Sequence, residues 1–340
     1  MRKWIKKGLI STGLLYASCA APSVSDVSPA SDDSATTSLE QLQLPSEATV
    51  TSPPTAPAAS VPEFPLPQYG VNTLWLWEVS SDNQPTSYLV GTIHGNFGRD
   101  YQEPEALEPA LDSVDLLLLE YDKNVTPETA EALVRRLGDE EAFLGDNLTA
   151  EEIDRIAERA SNEVLRPDTI PLVQPWYVNA SLSTPRERIV VNPLATVEST
   201  LEQRALRKRK AVGYFETPFS LIDRLAGAPD EEHLRLIREH LNRSLADITD
   251  ETERLFTVYN ALDVPGIRTE IQQNRAESEL LFDISQVQRN ARWIQLLLPV
   301  MRERPVMVAV SVTQLLGESG LISQLESSGF AVKFLSGEAQ

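Results

Sequence analysis

Hydrophobic residues along this chain occur either in short continuous runs or at a wider, helical spacing. Short apolar runs rich in Leu, Val, Ile and Trp are typical of strands buried in a sheet. Six segments have this character: 73–79, 87–93, 115–120, 211–215, 306–310 and 331–335. A turn-forming stretch of Ser, Asp, Asn, Gln and Pro separates the first two segments, which predicts a β-hairpin. A further short strand is predicted at 189–192.

The wider spacing predicts helices between these strands. A helix at 105–113 lies between the second and third strands, which predicts a βαβ unit with a parallel strand pair. Helix start signals occur at Thr126-Pro127 and in the capping box that begins at Thr149. Further helices are predicted within 126–185, 196–209, 220–302 and 320–327. The fold class is therefore α/β, a mixed sheet with a helical insertion in the middle of the chain.

Residues 1–19 have the pattern of a lipoprotein signal peptide. A basic start is followed by a short apolar stretch, which is shorter than the ~20 apolar residues that a membrane-spanning helix needs. The segment ends in Tyr16-Ala17-Ser18-Cys19, which resembles a bacterial lipobox, although Tyr16 replaces the usual aliphatic residue. Acylation of Cys19, the single cysteine, is therefore predicted. A plain signal peptide with an incidental cysteine is the alternative.

Composition divides the rest of the chain into a tether and one domain. Residues 20–67 are rich in Ser, Thr, Ala and Pro, and such a segment buries too little apolar surface to fold, so a disordered tether is predicted. Residues 68–340 are predicted to form a single domain with helical insertions at about 126–185 and 218–302. The predicted location is the cell envelope, with the protein lipid-anchored on the extracytoplasmic side. Ala20 after the cysteine fits sorting to an outer membrane.

Charge limits the partners of this chain. The 340 residues carry a formal net charge of −20, which argues against nucleic acid and against anionic lipid surfaces. Membrane contact is therefore predicted through the lipid anchor only. Arg204 and the run 207–210 form a basic cluster that is interpreted as the exposed end of a helix. His233 and His240 have charged neighbours along the chain and are interpreted as surface residues.

Candidate chemistry lies where two buried strands end. His94 follows the second strand, and Glu120 ends the third. An imidazole and a carboxylate make a weak metal site unless more ligands join them, or they serve as general base and acid without a metal. A single histidine after a strand is more often structural. The residue types alone therefore leave these alternatives open.

Several motifs in order along the chain resemble the TraB/GumN family, which includes the Tiki metalloproteases. They lie at Leu74-Trp75, 87–94, 118–120, 174–176, 213–218, 289–293 and 315–321. The resemblance covers about residues 70–336. It implies an α/β fold with a helical insertion, and a site in which two Gly-x-x-His motifs and the strand-end glutamate hold a divalent metal ion.

The first motif is intact here, whereas the second is not. Gly91-Thr92-Ile93-His94 matches the family pattern, and the strand-end glutamate is Glu120. In the second motif Ser311 replaces the glycine and Gln314 replaces the histidine. An amide oxygen is a poorer ligand than imidazole for zinc-like metals, and glutamine cannot transfer a proton near neutral pH.

Family motifs also imply which other residues approach the cleft. Glu216, Arg289 and Asn290 are the candidate substrate-binding residues, and Arg289 is expected to balance Glu120 or Glu216 or to hold a substrate carboxylate. The alternatives are a charge at a helix N-terminus for Glu216 and a surface ion pair for Arg289. Trp176 and Trp293 are expected to pack in the core.

Two functions from different classes follow from this resemblance. In the first, the protein is a divergent metal-dependent hydrolase or peptidase. His94, Glu120 and Gln314 bind a divalent ion (Mn, Co, Zn or Mg) that activates water against a peptide or small-molecule substrate. In the second, the protein is a catalytically inactive pseudoenzyme, a tethered lipoprotein that binds a ligand or partner. A metal or haem carrier is a weaker third alternative, because no second strong ligand is visible.

Overall fold

The structure is a computed structural model that describes residues 75–82, 84–93, 107–122, 126–160, 164–183, 196–217 and 219–335. The strands are β1 (Trp75–Ser80), β2 (Ser87–Thr92), β3 (Leu116–Tyr121), β4 (Ala211–Glu216), β5 (Val306–Ser311) and β6 (Ala331–Phe334). The predicted signal peptide, tether, 189–192 strand, Cys19 and His94 lie outside the described residues. The domain boundaries inferred from composition therefore stay predictions.

Helices connect these strands. Before β4 the α-helices are α1 (Leu107–Asp112), α2 (Pro127–Leu137), α3 (Phe143–Asn147), α4 (Ala150–Ala160), α5 (Pro175–Leu182) and α6 (Val197–Arg207). Between β4 and β5 they are α7 (Ser220–Ala226), α8 (Asp230–Asn242), α9 (Leu245–Asn260), α10 (Val264–Glu277), α11 (Glu279–Phe282) and α12 (Gln288–Glu303). After β5 come α13 (Val312–Leu315) and α14 (Leu321–Ser327). A π-helical turn, Asp283–Val287, joins α11 to α12.

The six strands form one mixed sheet in the order β4-β3-β5-β2-β1-β6. β4, β3, β5 and β2 run parallel to one another, whereas β1 is antiparallel to both β2 and β6. This confirms the predicted fold class and the β1–β2 hairpin. Because the carboxyl ends of parallel strands lie at one edge, Thr92 is registered with Ser311, and Tyr121 with Glu216, at that edge.

The predicted βαβ unit is only partly correct. β2 and β3 do run in the same direction on either side of α1, but they do not pair, because β5 lies between them. β5 is the most apolar strand, and its first five residues are buried. A strand that is apolar on both faces gains most free energy in the middle of a sheet, where helices cover both sides. A strand from the distant end of the chain therefore takes the central position.

Helices cover both faces of the sheet, and a separate helical group has its own core. α1 and α6 pack on one face, through Leu107, Leu111, Leu201 and Ala205. The other face packs against α9, α10, α12 and α14 around Trp293, which is fully buried as predicted. Residues of α2 to α5, α7 and α8 form the separate core, which includes the buried Trp176.

His233 and His240 are buried, so their interpretation as surface residues was wrong. Their exposed fractions are 1% and 4%. Both lie on the face of α8 that also carries Leu234, Ile237 and Leu241, which packs against α4 and α5. Residues seven apart share a helix face, and the charges next to them in sequence point the other way. The helix periodicity, rather than the immediate neighbours, carried the correct signal.

Local start signals were confirmed. Thr126 accepts a hydrogen bond from the Thr129 amide at the start of α2. Thr149 and Glu152 exchange the reciprocal hydrogen bonds of a capping box at the start of α4. These contacts satisfy amides that the first turn of a helix leaves unpaired.

Candidate functional site

Glu120 is the buried carboxylate at the carboxyl edge of the sheet. It lies in β3 with 4% of its surface exposed. Its Oε1 atom accepts a hydrogen bond from the Ser311 amide at 2.8 Å, and its Oε2 atom accepts one from Arg289 Nη2 at 2.9 Å. Ser311, the residue that replaces the second motif's glycine, thus contacts the strand-end glutamate through its backbone. This hydrogen bond joins the carboxyl end of β3 to the carboxyl end of β5.

Arg289 bridges two buried carboxylates. It lies in the first turn of α12, and its Nε atom donates to Glu216 Oε2 at 2.8 Å. Its guanidinium also lies 4.5 Å from the centre of the Trp293 ring. Burial would by itself lower the pKa of Arg289, but Glu120 and Glu216 outweigh that effect and raise the pKa above its ordinary value. Arg289 is therefore a fixed cation.

Glu216 is contacted by three arginines. Arg224 donates from Nη2 to Glu216 Oε1 at 2.5 Å, and Arg292 Nη2 lies 3.8 Å from the same oxygen. The Arg292 side chain is 47% exposed, whereas the Glu216 side chain is 6% exposed. Together with Glu120 and Arg289, these groups comprise two carboxylates and three guanidiniums. The cluster therefore carries one net positive charge within a strongly acidic protein.

The π-helical turn before α12 connects this cluster to Gln314. The Ser285 carbonyl in that turn accepts hydrogen bonds from Arg289 Nη1 at 3.3 Å and from Gln314 Nε2 at 3.0 Å. Turns of this kind are frequent at functional sites, because they reposition backbone groups within a helix. Here the turn provides one acceptor for two side chains of the candidate site.

Gln314 and Asn290 form the inner part of the site. Asn290 Nδ2 donates to the backbone carbonyls of Gln314 and Ser319, both at 2.9 Å. Gln314 is 5% exposed and Asn290 is fully buried. Gln314 Oε1 and Asn290 Oδ1 are buried, and neither has a hydrogen-bond partner in the structure as described. Each is an acceptor that lacks a donor.

The structure thus brings five of the predicted site residues into one hydrogen-bonded network: Glu120, Glu216, Arg289, Asn290 and Gln314. Arg289 was expected to balance Glu120 or Glu216, and it pairs with both carboxylates. The roles of these residues in catalysis or substrate binding stay predictions. Cys19 and His94 lie outside the described residues.

Three charged residues of this edge were missed by the sequence reasoning. Thr92 in the intact motif donates to Glu198 Oε1 at 2.6 Å, and Glu198 is 2% exposed. The sequence signal for Glu198 was weak, because an acid in the first turn of a capped helix is usually explained by the helix dipole. Arg292 follows Arg289 by three residues, which places it on the same helix face. Arg224 gave no local signal, because its contact depends on how α7 packs.

Gly91 fits a space that admits no side chain. A Cβ atom at this position would lie 3.0 Å from Trp75 Cβ and 3.1 Å from Val312 Cγ2. The Gly91 carbonyl accepts a hydrogen bond from the Tyr259 hydroxyl at 2.9 Å. The start of the Gly-x-x-His motif is therefore held between β1, α9 and α13.

The described residues do not by themselves fit a divalent metal ion. No group of three or more His, Cys, Asp and Glu in the described part of the chain is arranged to hold one. Each Glu120 oxygen accepts a hydrogen bond, and the Arg289 cation lies against one of them. An ion at Glu120 would compete with this guanidinium and be repelled by it. His94, the motif's imidazole, lies outside the described residues.

Fold and site together define an α/β protein with a buried charge network at the carboxyl edge of four parallel strands. A family model described as the TraB/PrgY/gumN family matches residues 75–333. The chain belongs to this family, as its motifs indicated. Comparison with curated proteins gave no match, and neither did comparison with solved structures. None of the described helices is both long and apolar enough to span a bilayer.

Proposed function

We propose that this chain is a non-hydrolytic, ligand-binding member of the TraB/PrgY/gumN family. It is held at the extracytoplasmic side of the cell envelope by a lipid on Cys19. The observation that carries the proposal is the position of Arg289, whose guanidinium is bonded to both Glu120 and Glu216. The carboxylate that the family resemblance assigns to a metal ion is here paired with a protein cation.

The substitution at Gln314 supports the same conclusion. Its amide nitrogen is bonded to the Ser285 carbonyl, and an amide neither releases nor accepts a proton near neutral pH. A hydrolase needs a group that activates water, and Gln314 cannot be that group. The network is instead suited to holding a fixed shape at the strand ends.

The ligand class follows from charge. Arg289 uses its Nε, Nη1 and Nη2 atoms on partners within the protein. Arg292 is half exposed and lies at a longer distance from Glu216, so its guanidinium can still pair with a ligand carboxylate. The proposed ligand is therefore a peptide or small molecule with a carboxylate group.

The test is a comparison of wild type, His94→Ala and Gln314→His. Each protein is assayed for bound Zn²⁺, Mn²⁺ and Co²⁺ and for cleavage of a fluorogenic peptide library. If the protein only binds a ligand, none of the three proteins cleaves peptide. Gln314→His alone does not create tight metal binding, because Arg289 is still paired with Glu120. Cleavage by wild type that is lost in His94→Ala would overturn the proposal.

A metal-dependent hydrolase is the second candidate, and one observation favours it. The segment that leads to His94 is intact and is fixed by the close packing of Gly91 and its bond to Tyr259. For this candidate, Gln314→His raises both metal affinity and cleavage, since only one ligand would be missing. The same three proteins therefore separate the two functions.

A further inference from the structure

Basic residues converge at the edge of the sheet opposite the candidate site. Because β3, β4 and β5 are parallel, their first residues lie at one edge, which we call the basic edge. Its basic residues come from the end of α6 and the end of α12: Arg204, Arg207, Lys208, Arg209, Lys210, Arg302 and Arg304. The Asp115 amide donates to the Pro305 carbonyl, which joins the segments before β3 and β5.

Only part of this charge is neutralised within the described structure. Lys208 pairs with Glu108 at 2.6 Å and with Asp112 at 2.5 Å, and Arg204 also pairs with Glu108. Lys210 donates to the backbone carbonyls of Asp112 and Val114, which cap α1 but carry no full negative charge. Asp115 and Glu303 are two further exposed acids at this edge. Seven basic residues therefore face four acidic ones, and the basic edge keeps an excess of positive charge.

Four arginines of the basic edge are free to contact a partner. No carboxylate of the described residues forms an ion pair with them, and three are exposed: Arg207, Arg209 and Arg302. The fourth is Arg304. Such arginines are available for phosphate groups, which their planar guanidinium recognises with two parallel hydrogen bonds.

An exposed leucine lies within the same cluster. Leu206, next to Arg207 at the end of α6, is 54% exposed, more than Leu280 or Leu296. Exposed apolar side chains flanked by Lys and Arg are typical of surfaces that contact lipid, since the apolar group enters the boundary while the cations meet the headgroups. A surface that served solubility alone would not need this leucine.

We propose that the basic edge docks on an anionic phospholipid surface. The net charge of −20 opposes this at long range, but charges more than about 8 Å away are screened at physiological ionic strength, so the local surface decides contact. This goes beyond the expectation of membrane contact through a lipid anchor alone.

Docking would fix the direction in which the candidate site faces. β4 starts next to Lys210 at the basic edge and ends at Glu216 in the charge network. Six residues of a strand span roughly 17–20 Å. A membrane at the basic edge therefore lies at the far end of the strands, and the candidate site points away from the bilayer.

The test uses the predicted mature chain, residues 19–340, with Cys19→Ser. This removes the predicted acylation and also the basic and apolar segment 1–18, which would itself bind anionic vesicles, and leaves the basic edge as the binding surface. Binding is measured by co-sedimentation with phosphatidylcholine vesicles, with and without phosphatidylglycerol. The expected result is binding that requires phosphatidylglycerol and is lost at high salt. Each basic residue contributes roughly fivefold, so Arg207→Glu with Arg302→Glu should weaken partitioning about 30-fold or more.

A matched control reverses two exposed basic residues elsewhere. Arg268→Glu with Arg135→Glu changes the net charge equally, but Arg268 lies on α10 and Arg135 lies on α2. The control should weaken binding less than threefold. Equal loss in both double variants, equal binding to both kinds of vesicle, or retention on polyglutamate without vesicle binding would overturn the proposal.

Discussion

Arg289 is the residue on which the candidate site depends. It is buried, and it holds two buried carboxylates that would otherwise repel each other. Removing one member of a buried ion pair costs far more than the pair contributes, because the remaining charge has no partner and no water. Its neighbour Arg292 is half exposed and contacts Glu216 at longer range, so solvent screens most of its contribution.

Replacing these two arginines separates the effects of burial and charge. Arg289→Met should lower the free energy of unfolding by about 3–5 kcal/mol, since Glu120 and Glu216 lose their shared cation. Arg292→Met should lower it by less than about 1 kcal/mol. Urea denaturation near neutral pH measures both. Similar small losses in the two variants would show that Arg289 does not hold the carboxylates together.

Gly91 provides a second test at this scale. A methyl group at Gly91 would lie within about 3 Å of Trp75 and Val312, so Gly91→Ala should destabilise the protein by roughly 1–3 kcal/mol through overpacking. Gly138→Ala is the control, because its nearest neighbour, the Arg135 carbonyl, is 3.9 Å away. Its thermal midpoint should change little. An unchanged midpoint for Gly91→Ala would contradict the packing described here.

Among the elements, α8 differs most clearly from the sequence-based prediction, because its two histidines are buried. His240 is buried, and its helix end is bound by two arginines of α4. Arg159 donates to the carbonyls of His240 and Arg243, and Arg155 donates to the carbonyl of Leu241. Burial, followed by the nearby Arg243, lowers the pKa of His240 to about 4, although Glu251 and Glu239 oppose the shift.

This shift predicts a loss of stability in mild acid. His240 is neutral in the folded protein down to about pH 4, whereas in the unfolded chain it takes up a proton near pH 6.5. The stability that it contributes is complete above pH 6.5 and is lost as the pH falls toward 4, by up to about 3 kcal/mol. Burial also lowers the pKa of His233, which acts in the same direction.

Urea unfolding from pH 7 to pH 4 measures this dependence. His240→Gln should show a shallower decline than wild type, because the variant lacks the imidazole at position 240, and only His233 keeps a burial-lowered histidine pKa in this helix. His233→Gln is the comparison within the same helix. If His240→Gln followed the wild-type curve at every pH, burial of the His240 imidazole would not explain the acid sensitivity.

The elements were largely predictable, and their arrangement was not. Apolar runs located β1 to β6 within a few residues, since each carries its own pattern of burial. The position of β5 between β2 and β3 depends on packing between segments almost two hundred residues apart, which no local pattern encodes. The same holds for the site. Motifs named Glu120, Glu216 and Arg289, but only the fold shows that one guanidinium binds both carboxylates.

On the scale of the whole molecule, the sheet separates two surfaces. The carboxyl edge carries the charge network with Gln314, and the opposite edge carries exposed arginines and Leu206. A protein held at a membrane by the basic edge would present its candidate site outward. The chain has an α/β fold, and the carboxylate that the family resemblance assigns to a metal ion is paired with an arginine.

Metal binding to the wild-type protein tests the central claim most directly. The purified chain is equilibrated with micromolar Zn²⁺, Mn²⁺ or Co²⁺, and the retained ion is measured after gel filtration beside His94→Ala. Because Arg289 is paired with Glu120 and Gln314 replaces a histidine, we predict that neither protein retains a stoichiometric amount of metal ion. Retention of one ion per chain by wild type, abolished in His94→Ala, would contradict the account.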